Sequence, residues 1–347
     1  MNFRQFVVRG LLLLTIVVCA LLLASPSFAA PPTASLKLYF IDVEGGQATL
    51  IVAPGNKSML VDTGFPGYGG RDADRIVKAT KLAGIDHLDY VLITHYHIDH
   101  VGGIFELAKR IKIGAFLDHG PNREAEPRTI ADYEAYQKLW PGHEHHVLKP
   151  GDRFELGDAS ISIVASAGDA ITTPLSGAGE ENPLCASEPA PADDPSENAQ
   201  SVGFVLTYGK FHFVDLGDLT KKKELALACP RNLIGHADLY LTTHHGLDQS
   251  NSRALVQALR PRVAIMNNGA HKGGIPASWQ IVHDSPGLED LWQLHYAADT
   301  DAGHNTKEPM IANTSENCAG QYLTVSATSD GRFTVTNSRN GYSQSYH

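Results

Sequence analysis

The sequence predicts a mixed α/β fold in four layers, αββα. Three observations predict it: strand-like runs open each half of the chain, helix-like segments alternate with further strands behind them, and no fixed-period repeat is present. Two β-rich halves, each backed by helices, bury their apolar faces most simply by packing sheet against sheet. With 347 residues and 43% hydrophobic content, the chain has apolar surface enough for such a core.

The elements follow in order. Residues 36–43, 48–52 and 58–61 are short apolar runs separated by Gly-rich or Pro-Gly turns, the pattern of a β-meander. A helix is expected over 72–82 and a short buried strand over 90–93. A helix over 104–112, an extended segment at 115–117 and a helix over 129–139 continue the alternation. In the second half, strands at 160–165, 202–208 and 211–215 precede a helix, then strands at 239–242 and 263–266. Residues 321–327 and 332–337 read as a terminal hairpin around Ser329-Asp330-Gly331. Two stretches break the order, near 169–200 and near 300–318, and both read as surface insertions. Long loops in compact domains are often functional, so a flap over the site stands beside a plain solvated loop as the reading of the first.

Arg4 and Arg9 precede an apolar run at 11–24, and Ser27-Phe28-Ala29 follows as a small-x-small cleavage pattern. Residues 1–29 are therefore expected to be a signal peptide, leaving an exported domain, periplasmic or extracellular, over 30–347. The run is shorter than the roughly 20 residues a spanning helix needs, and no later stretch is long enough, so no membrane span is expected after cleavage. Loss of Arg4 and Arg9 takes the formal charge from −10 to −12. That balance disfavours non-specific nucleic-acid binding, which draws its affinity from Lys and Arg on phosphates, but leaves a local basic groove open. Cys185, Cys229 and Cys318 remain beyond Cys19, allowing at most one internal disulfide, of open pairing, and one odd thiol. None lies in a CxxC pair, so a structural zinc knuckle is not expected.

The chemistry concentrates in Thr94-His95-Tyr96-His97-Ile98-Asp99-His100, directly after a predicted strand. In extended chain, alternate residues project to one side, so His95, His97 and Asp99 converge while His100 turns to a neighbouring position. Three imidazoles and a carboxylate match the ligand set of zinc, and also suit manganese or iron. Asp218, in Leu216-Gly217-Asp218, and His244-His245-Gly246 each follow a strand, where loops meet at a common site.

In that order, Val61-Asp62-Thr63-Gly64, His95-x-His97-x-Asp99-His100, Gly217-Asp218 and His244-His245-Gly246 resemble the metallo-β-lactamase superfamily, and the double His before Gly resembles its ComEC-like secreted branch. The resemblance covers about residues 36–300. It implies that His95 and His97 hold a first divalent ion, that Asp99, His100 and His245 hold a second, and that Asp218 bridges them. It implies that His244 faces substrate, and that Asp62 orders the ligand loop by hydrogen bonding rather than by binding metal. Many family members carry a further histidine before the bridging Asp, whereas Glu197-Asn198-Ala199-Gln200-Ser201 has none. The resemblance thus implies fewer protein ligands for the first metal, and makes Asp99, His100, Asp218 and His245 the firmer set.

Two divalent ions roughly 3.5–4 Å apart would lower the pKa of a shared water toward neutrality and supply a hydroxide nucleophile. The expected activity is metal-dependent hydrolysis of a phosphodiester or other phosphoester. A lactamase or lactonase is the alternative, followed by a non-catalytic metal-binding module. Four further residues are expected near substrate. His119, in Asp118-His119-Gly120, follows a strand, and Asn268, His271 and Lys272 follow another in an Asn-Gly turn whose amides and ammonium suit an anionic group. His143, His145 and His146 are expected to be surface histidines entering an edge strand, and Lys221, Lys222 and Lys223 a solvated helix start.

Overall fold

In the computed structural model, which describes residues 35–189 and 191–347, the meander expected at the start forms the middle of a nine-stranded sheet. The expected signal peptide, with Arg4, Arg9 and Cys19, lies outside the described residues. Strands β1 (Leu36–Phe40), β2 (Thr49–Val52) and β3 (Ser58–Val61) pair antiparallel, and β4 (His87–Leu92), β5 (Lys112–Asp118) and β6 (Glu144–Val147) then add in parallel. The second sheet repeats this plan. In it β7 (Arg153–Leu156), β8 (Ala159–Ser166), β10 (Gly203–Tyr208) and β11 (Phe211–Asp215) are antiparallel, with the short β9 (Asp169–Ala170) on β8. Strands β12 (Leu239–Leu241), β13 (Val263–Met266), β14 (Asp290–His295) and β15 (Ile311–Asn313) follow in parallel. The chain then returns to the first sheet, where β16 (Leu323–Ala327) pairs with β1 and continues into β17 (Phe333–Asn337) and β18 (Ser343–Tyr346).

Strand alternation decides the layers. Leu36, Leu38 and Phe40 of β1 point inward to meet Phe204, Phe213, Ile265 and Trp292 of the second sheet, while Tyr39 between them joins the outer cluster. The outer face of the first sheet is covered by α1 (Arg71–Ala83), α2 (Ile98–Val101), α3 (Ile104–Leu107) and α4 (Pro127–Gln137), with Ile76, Val101, Ile104 and Tyr136 in one apolar cluster. The outer face of the second is covered by α5 (Lys221–Ala228), α6 (Arg253–Leu259) and α7 (Pro276–His283), which bury Leu227, Leu255 and Trp279. Helix, sheet, sheet and helix are the four layers expected. No helix among the described residues is long and apolar enough to cross a membrane.

Three expectations change in detail. The helix expected over 104–112 ends at Leu107, and Lys112 already begins β5, because Ile113, Ala115 and Leu117 follow a strand period and pair with β4. The stretch 300–318 is not all loop: β15 lies within it and extends the second sheet. The stretch 169–200 is tied down by a disulfide between Cys185 and Cys229, and its end, the 3-10 turn Glu197–Gln200, is built into the interior through buried Glu197 and Ala199.

Candidate metal centre

Parallel strands place their carboxyl ends together, and in open α/β sheets that is where ligands bind. Val61, Leu92 and Leu117 lie level in register across β3, β4 and β5, as do Val214, Tyr240 and Ala264 across β11, β12 and β13. Each motif singled out in the sequence lies just beyond one of these ends. Asp62 follows β3, His95 to His100 follow β4, Asp218 follows β11, and His244 and His245 follow β12.

One atom each from Asp99, His100, Asp218 and His245, all four buried, lies within 4.8 Å of the others. His100 Nε2 stands 3.2 Å from Asp218 Oδ2 and 3.3 Å from His245 Nε2, and His245 Nε2 is 3.3 Å from Asp99 Oδ2. His95 Nε2 and His97 Nδ1 meet at 3.1 Å, and His95 Nε2 is 3.8 Å from Asp218 Oδ2. The first pair thus has Asp218 beside it, while the other nitrogen of His97 faces Glu124 Oε2 at 3.0 Å.

Asp62 anchors the turn. Its left-handed backbone, φ 59°, aims the carboxylate back across β4. There it accepts from the backbone N–H of Thr94 at 2.8 Å and the hydroxyl of Thr94 at 2.7 Å, and lies 2.7 Å from His100 Nδ1. A carboxylate on Nδ1 fixes the ring so that Nε2 presents its lone pair to a cation. Gly46 and Gly103 let neighbouring loops close on this turn; a Cβ on Gly46 would stand 2.4 Å from the Asp99 carbonyl oxygen, and one on Gly103 2.0 Å from that of Thr63. His244 and His245 both adopt left-handed backbone, φ 55° each, which is uncommon outside glycine and turns successive imidazoles toward Asp218.

The electrostatics call for a cation. Burial alone would raise the carboxyl of Asp99, but His100, His245 and Lys272 outweigh it and hold it well below its ordinary value. Asp218 is held low in the same way, against burial, by His100, His245 and His244. Burial would depress His100, yet Asp218, Asp99 and Asp62 push it well above the usual histidine range, so a proton is retained where three carboxylates converge. His95 is driven the other way, by burial and then by His100 and His97, and stays neutral. Asp218 Oδ1 is buried with no hydrogen-bond partner among the described residues. An orphaned carboxylate oxygen, converging imidazole nitrogens and a mixed N/O donor set fit a divalent ion of the zinc or manganese type at Asp99, His100, Asp218 and His245.

Around this cluster, the expected substrate residues separate. Lys272 pairs with Asp99 and lies 5.6 Å from the centre of the Phe65 ring, with its side chain 34% exposed at the mouth. His244 Nε2 is 3.3 Å from Asp218, and its ring is the more exposed of the pair, 7% against 0% for His245. His119, by contrast, is buried against Tyr96 with Nε2 2.8 Å from Glu197, so it supports the ligand segment from behind instead of facing the mouth. The NH2 group of Asn268 is spent on the carbonyls of Gly269 and His295, while its Oδ1 is buried with no hydrogen-bond partner among the described residues. His271 is exposed and lies against Asp299 and Glu316. Of the three other histidines, His145 is half-buried, stacked on Trp140 and 2.8 Å from Asp118 Oδ2, while His143 and His146 are exposed.

Sequence reasoning missed Glu197, Glu124 and Thr94. Glu197 accepts from the backbone N–H of Tyr96, between the two histidines of the first pair, and of Arg123, next to Glu124 in the loop after β5. Its only signal was its place in the stretch that lacks a histidine.

Residues 41–173 match the family profile described as the metallo-beta-lactamase superfamily. Among its relatives, Beta-lactamase-like protein 2 homolog of Caenorhabditis elegans is 36% identical over 124 residues, 35% of this chain and 37% of that protein. Recombination protein 2 of Haemophilus influenzae is 26% identical over 272 residues, 76% of this chain and 27% of that protein. Ribonuclease Z of Methanopyrus kandleri is 34% identical over 86 residues, 24% of this chain and 28% of that protein. The chain thus spans about a quarter to two fifths of the length of these relatives.

Proposed function

We propose that the chain is an exported, metal-dependent hydrolase acting on a phosphodiester or another phosphoester. The observation that carries the reading is the convergence of Asp99, His100, Asp218 and His245 on one point, beside a neutral histidine and a lysine at the mouth. Likeness to Ribonuclease Z over 24% of the chain supports a phosphoester, and likeness to Recombination protein 2 over 76% supports the ComEC-like branch. The disulfide between Cys185 and Cys229 supports export, because such bonds persist in oxidising compartments.

Asp99, His100, Asp218 and His245 would hold one divalent ion, and His95 and His97, with Asp218, a second. Bound there, the ions supply Lewis acidity that activates water and neutralises charge on a phosphoryl oxygen. The remaining work falls to the protein's own groups. Asp62 and Thr94 keep the His100 ring in its productive orientation. Ser250 donates its hydroxyl to the Leu219 carbonyl at 2.8 Å, so its oxygen accepts from His244 Nδ1 at 3.3 Å and leaves His244 Nε2 to exchange a proton at the mouth. Burial, the largest influence on His244, keeps that ring below its ordinary pKa and therefore neutral at pH 7. The ammonium of Lys272 is placed to bind a phosphate oxygen once the metal neutralises Asp99.

The test is turnover of a chromogenic phosphodiester alongside a panel of lactams and lactones. The reading expects phosphodiester turnover that chelator abolishes and that Asp218→Ala lacks. Hydrolysis confined to the lactam or lactone panel would replace it with the alternative.

A further inference from the structure

We propose that Asp42, His295 and Cys318 form a second metal site, separate from the catalytic cluster and selective for a thiophilic divalent ion such as zinc. Three elements distant in sequence deliver these side chains to one point. Asp42 lies just beyond β1 of the first sheet, His295 ends β14 of the second, and Cys318 lies between β15 and β16. His295 Nε2 is 2.8 Å from Asp42 Oδ1, and Cys318 Sγ is 3.2 Å from Asp42 Oδ2 and 3.8 Å from His295 Nε2. With metal–nitrogen and metal–oxygen bonds of about 2.0 Å and a metal–sulfur bond of about 2.3 Å, the edges of a tetrahedral site run to roughly 3.3–3.5 Å. His295 and Cys318 meet different oxygens of Asp42, but one donor atom from each of the three residues lies within 4.8 Å of the others, so an ion fits once the side chains close on it. Glu44 Oε1, 3.8 Å from the sulfur, stands where a fourth ligand is needed.

Burial and charge agree. Asp42 and His295 are 0% and 1% exposed, and Cys318 is half-buried, which leaves a path for entry. Arg75 balances the carboxylates, with Nη1 2.9 Å from Asp42 Oδ2 and Nη2 3.1 Å from Glu44 Oε1 and 3.6 Å from Cys318 Sγ, so an ion would displace Nη2 from Glu44 Oε1. Arg75 also donates to the backbone carbonyl of Asp42 at 3.0 Å, so it keeps that acceptor when an ion takes the side-chain atoms, while Glu44 Oε2 stays paired with Arg71 at 2.6 Å. Binding expels the Cys318 thiol proton and clears His295 Nε2 of hydrogen; the thiolate, imidazole and carboxylate donate electron pairs, and nothing is oxidised or reduced. A sulfur ligand favours zinc over magnesium or calcium, whereas the catalytic cluster has only nitrogen and oxygen donors.

Such an ion would pin the two sheets together beside the catalytic mouth. Gly45, three residues after Asp42, packs against the Cβ of Lys272, and Glu316, two before Cys318, lies 3.1 Å from His271. The site would thus hold the wall that carries Lys272.

Cobalt(II) distinguishes the two sites, because only a thiolate gives an intense near-ultraviolet sulfur-to-cobalt charge-transfer band. Cobalt(II) is added to metal-free full-length protein after reduction, with free Cys318 verified by thiol titration. The charge-transfer band is expected in the wild type, absent from Cys318→Ser and retained in Asp218→Asn. Zinc analysis is expected to show about one equivalent fewer in Cys318→Ser than in the wild type. Visible cobalt bands without charge transfer in the wild type would overturn the proposal even if no variant folds, and so would a band that survives Cys318→Ser. Neither result bears on the catalytic cluster, whose failure would show instead as the same metal content in Asp218→Asn as in the wild type.

Discussion

Asp62 binds no metal in this account, yet its carboxylate meets Thr94 twice and His100 once, from a backbone conformation that few residues adopt cheaply. Groups that orient a ligand from behind typically contribute 10–100-fold to metal affinity. Asp62→Ala is therefore expected to weaken metal binding by about 10–100-fold, read by competition with a chromophoric chelator, while the far-ultraviolet circular dichroism spectrum stays that of the wild type. A second residue governs pH. Glu224 is fully buried and accepts from the backbone N–H groups of Asn251 and Ser252, and burial outweighs those bonds, pushing its carboxyl up from 4.5 to about 7. Because the folded pKa exceeds the unfolded one, the native state holds more protons, and the stability linked to Glu224 is full below pH 4.5 and declines as pH rises toward 7. The decline amounts to roughly 3 kcal/mol at most. Glu224→Gln should flatten that slope in melting temperature, at a cost of about 1 kcal/mol at pH 5 for the second backbone N–H it fails to satisfy. The ligands themselves were legible because the chemistry requires imidazole and carboxylate at short spacing. Glu197 and Glu124 were not, because spacing does not reveal which distant carboxylate the fold brings to a histidine.

Loops between strands set the shape of the site, and two of them are open to direct test. The loop from β1 to β2 closes on the metal turn at Gly46, whose added Cβ would meet the Asp99 carbonyl oxygen at 2.4 Å. Gly46→Ala must push that backbone aside, so metal occupancy is expected to fall while the apolar core, remote from this loop, still folds; metal analysis alongside near-ultraviolet circular dichroism checks both. Cys185–Cys229 anchors the stretch 169–200 to the end of α5 across a sequence separation of 44 residues. A loop of that size makes a disulfide worth about 2–4 kcal/mol, so Cys185→Ser with Cys229→Ser should lower stability by that amount in denaturant titration. Element by element, the sequence showed strands where two-residue alternation was clean, as in β16 and β17. It failed over 104–112, where Ile104, Leu107 and Ile111 fit a helical period but pairing of β5 with β4 claims the end of the segment. It also missed β15, a three-residue strand whose conformation comes from its neighbour β14 instead of its own pattern.

Across the molecule, each sheet turns from antiparallel to parallel pairing, and the carboxyl ends of the parallel strands deliver ligands from both halves to one place. The four layers were legible because two strand-rich halves without internal periodicity have few other ways to bury their faces. What each loop contributes was not, since that depends on register between strands distant in the chain. The central claim is that ligands from β4, β11 and β12 form one metal centre. Metal content by mass spectrometry, on wild-type and Asp218→Asn protein purified without chelator, tests it most directly. The account predicts bound zinc or manganese in the wild type and at least about one equivalent less in the variant. A wild type without divalent metal, or an Asp218→Asn protein that binds as much as the wild type, would contradict it.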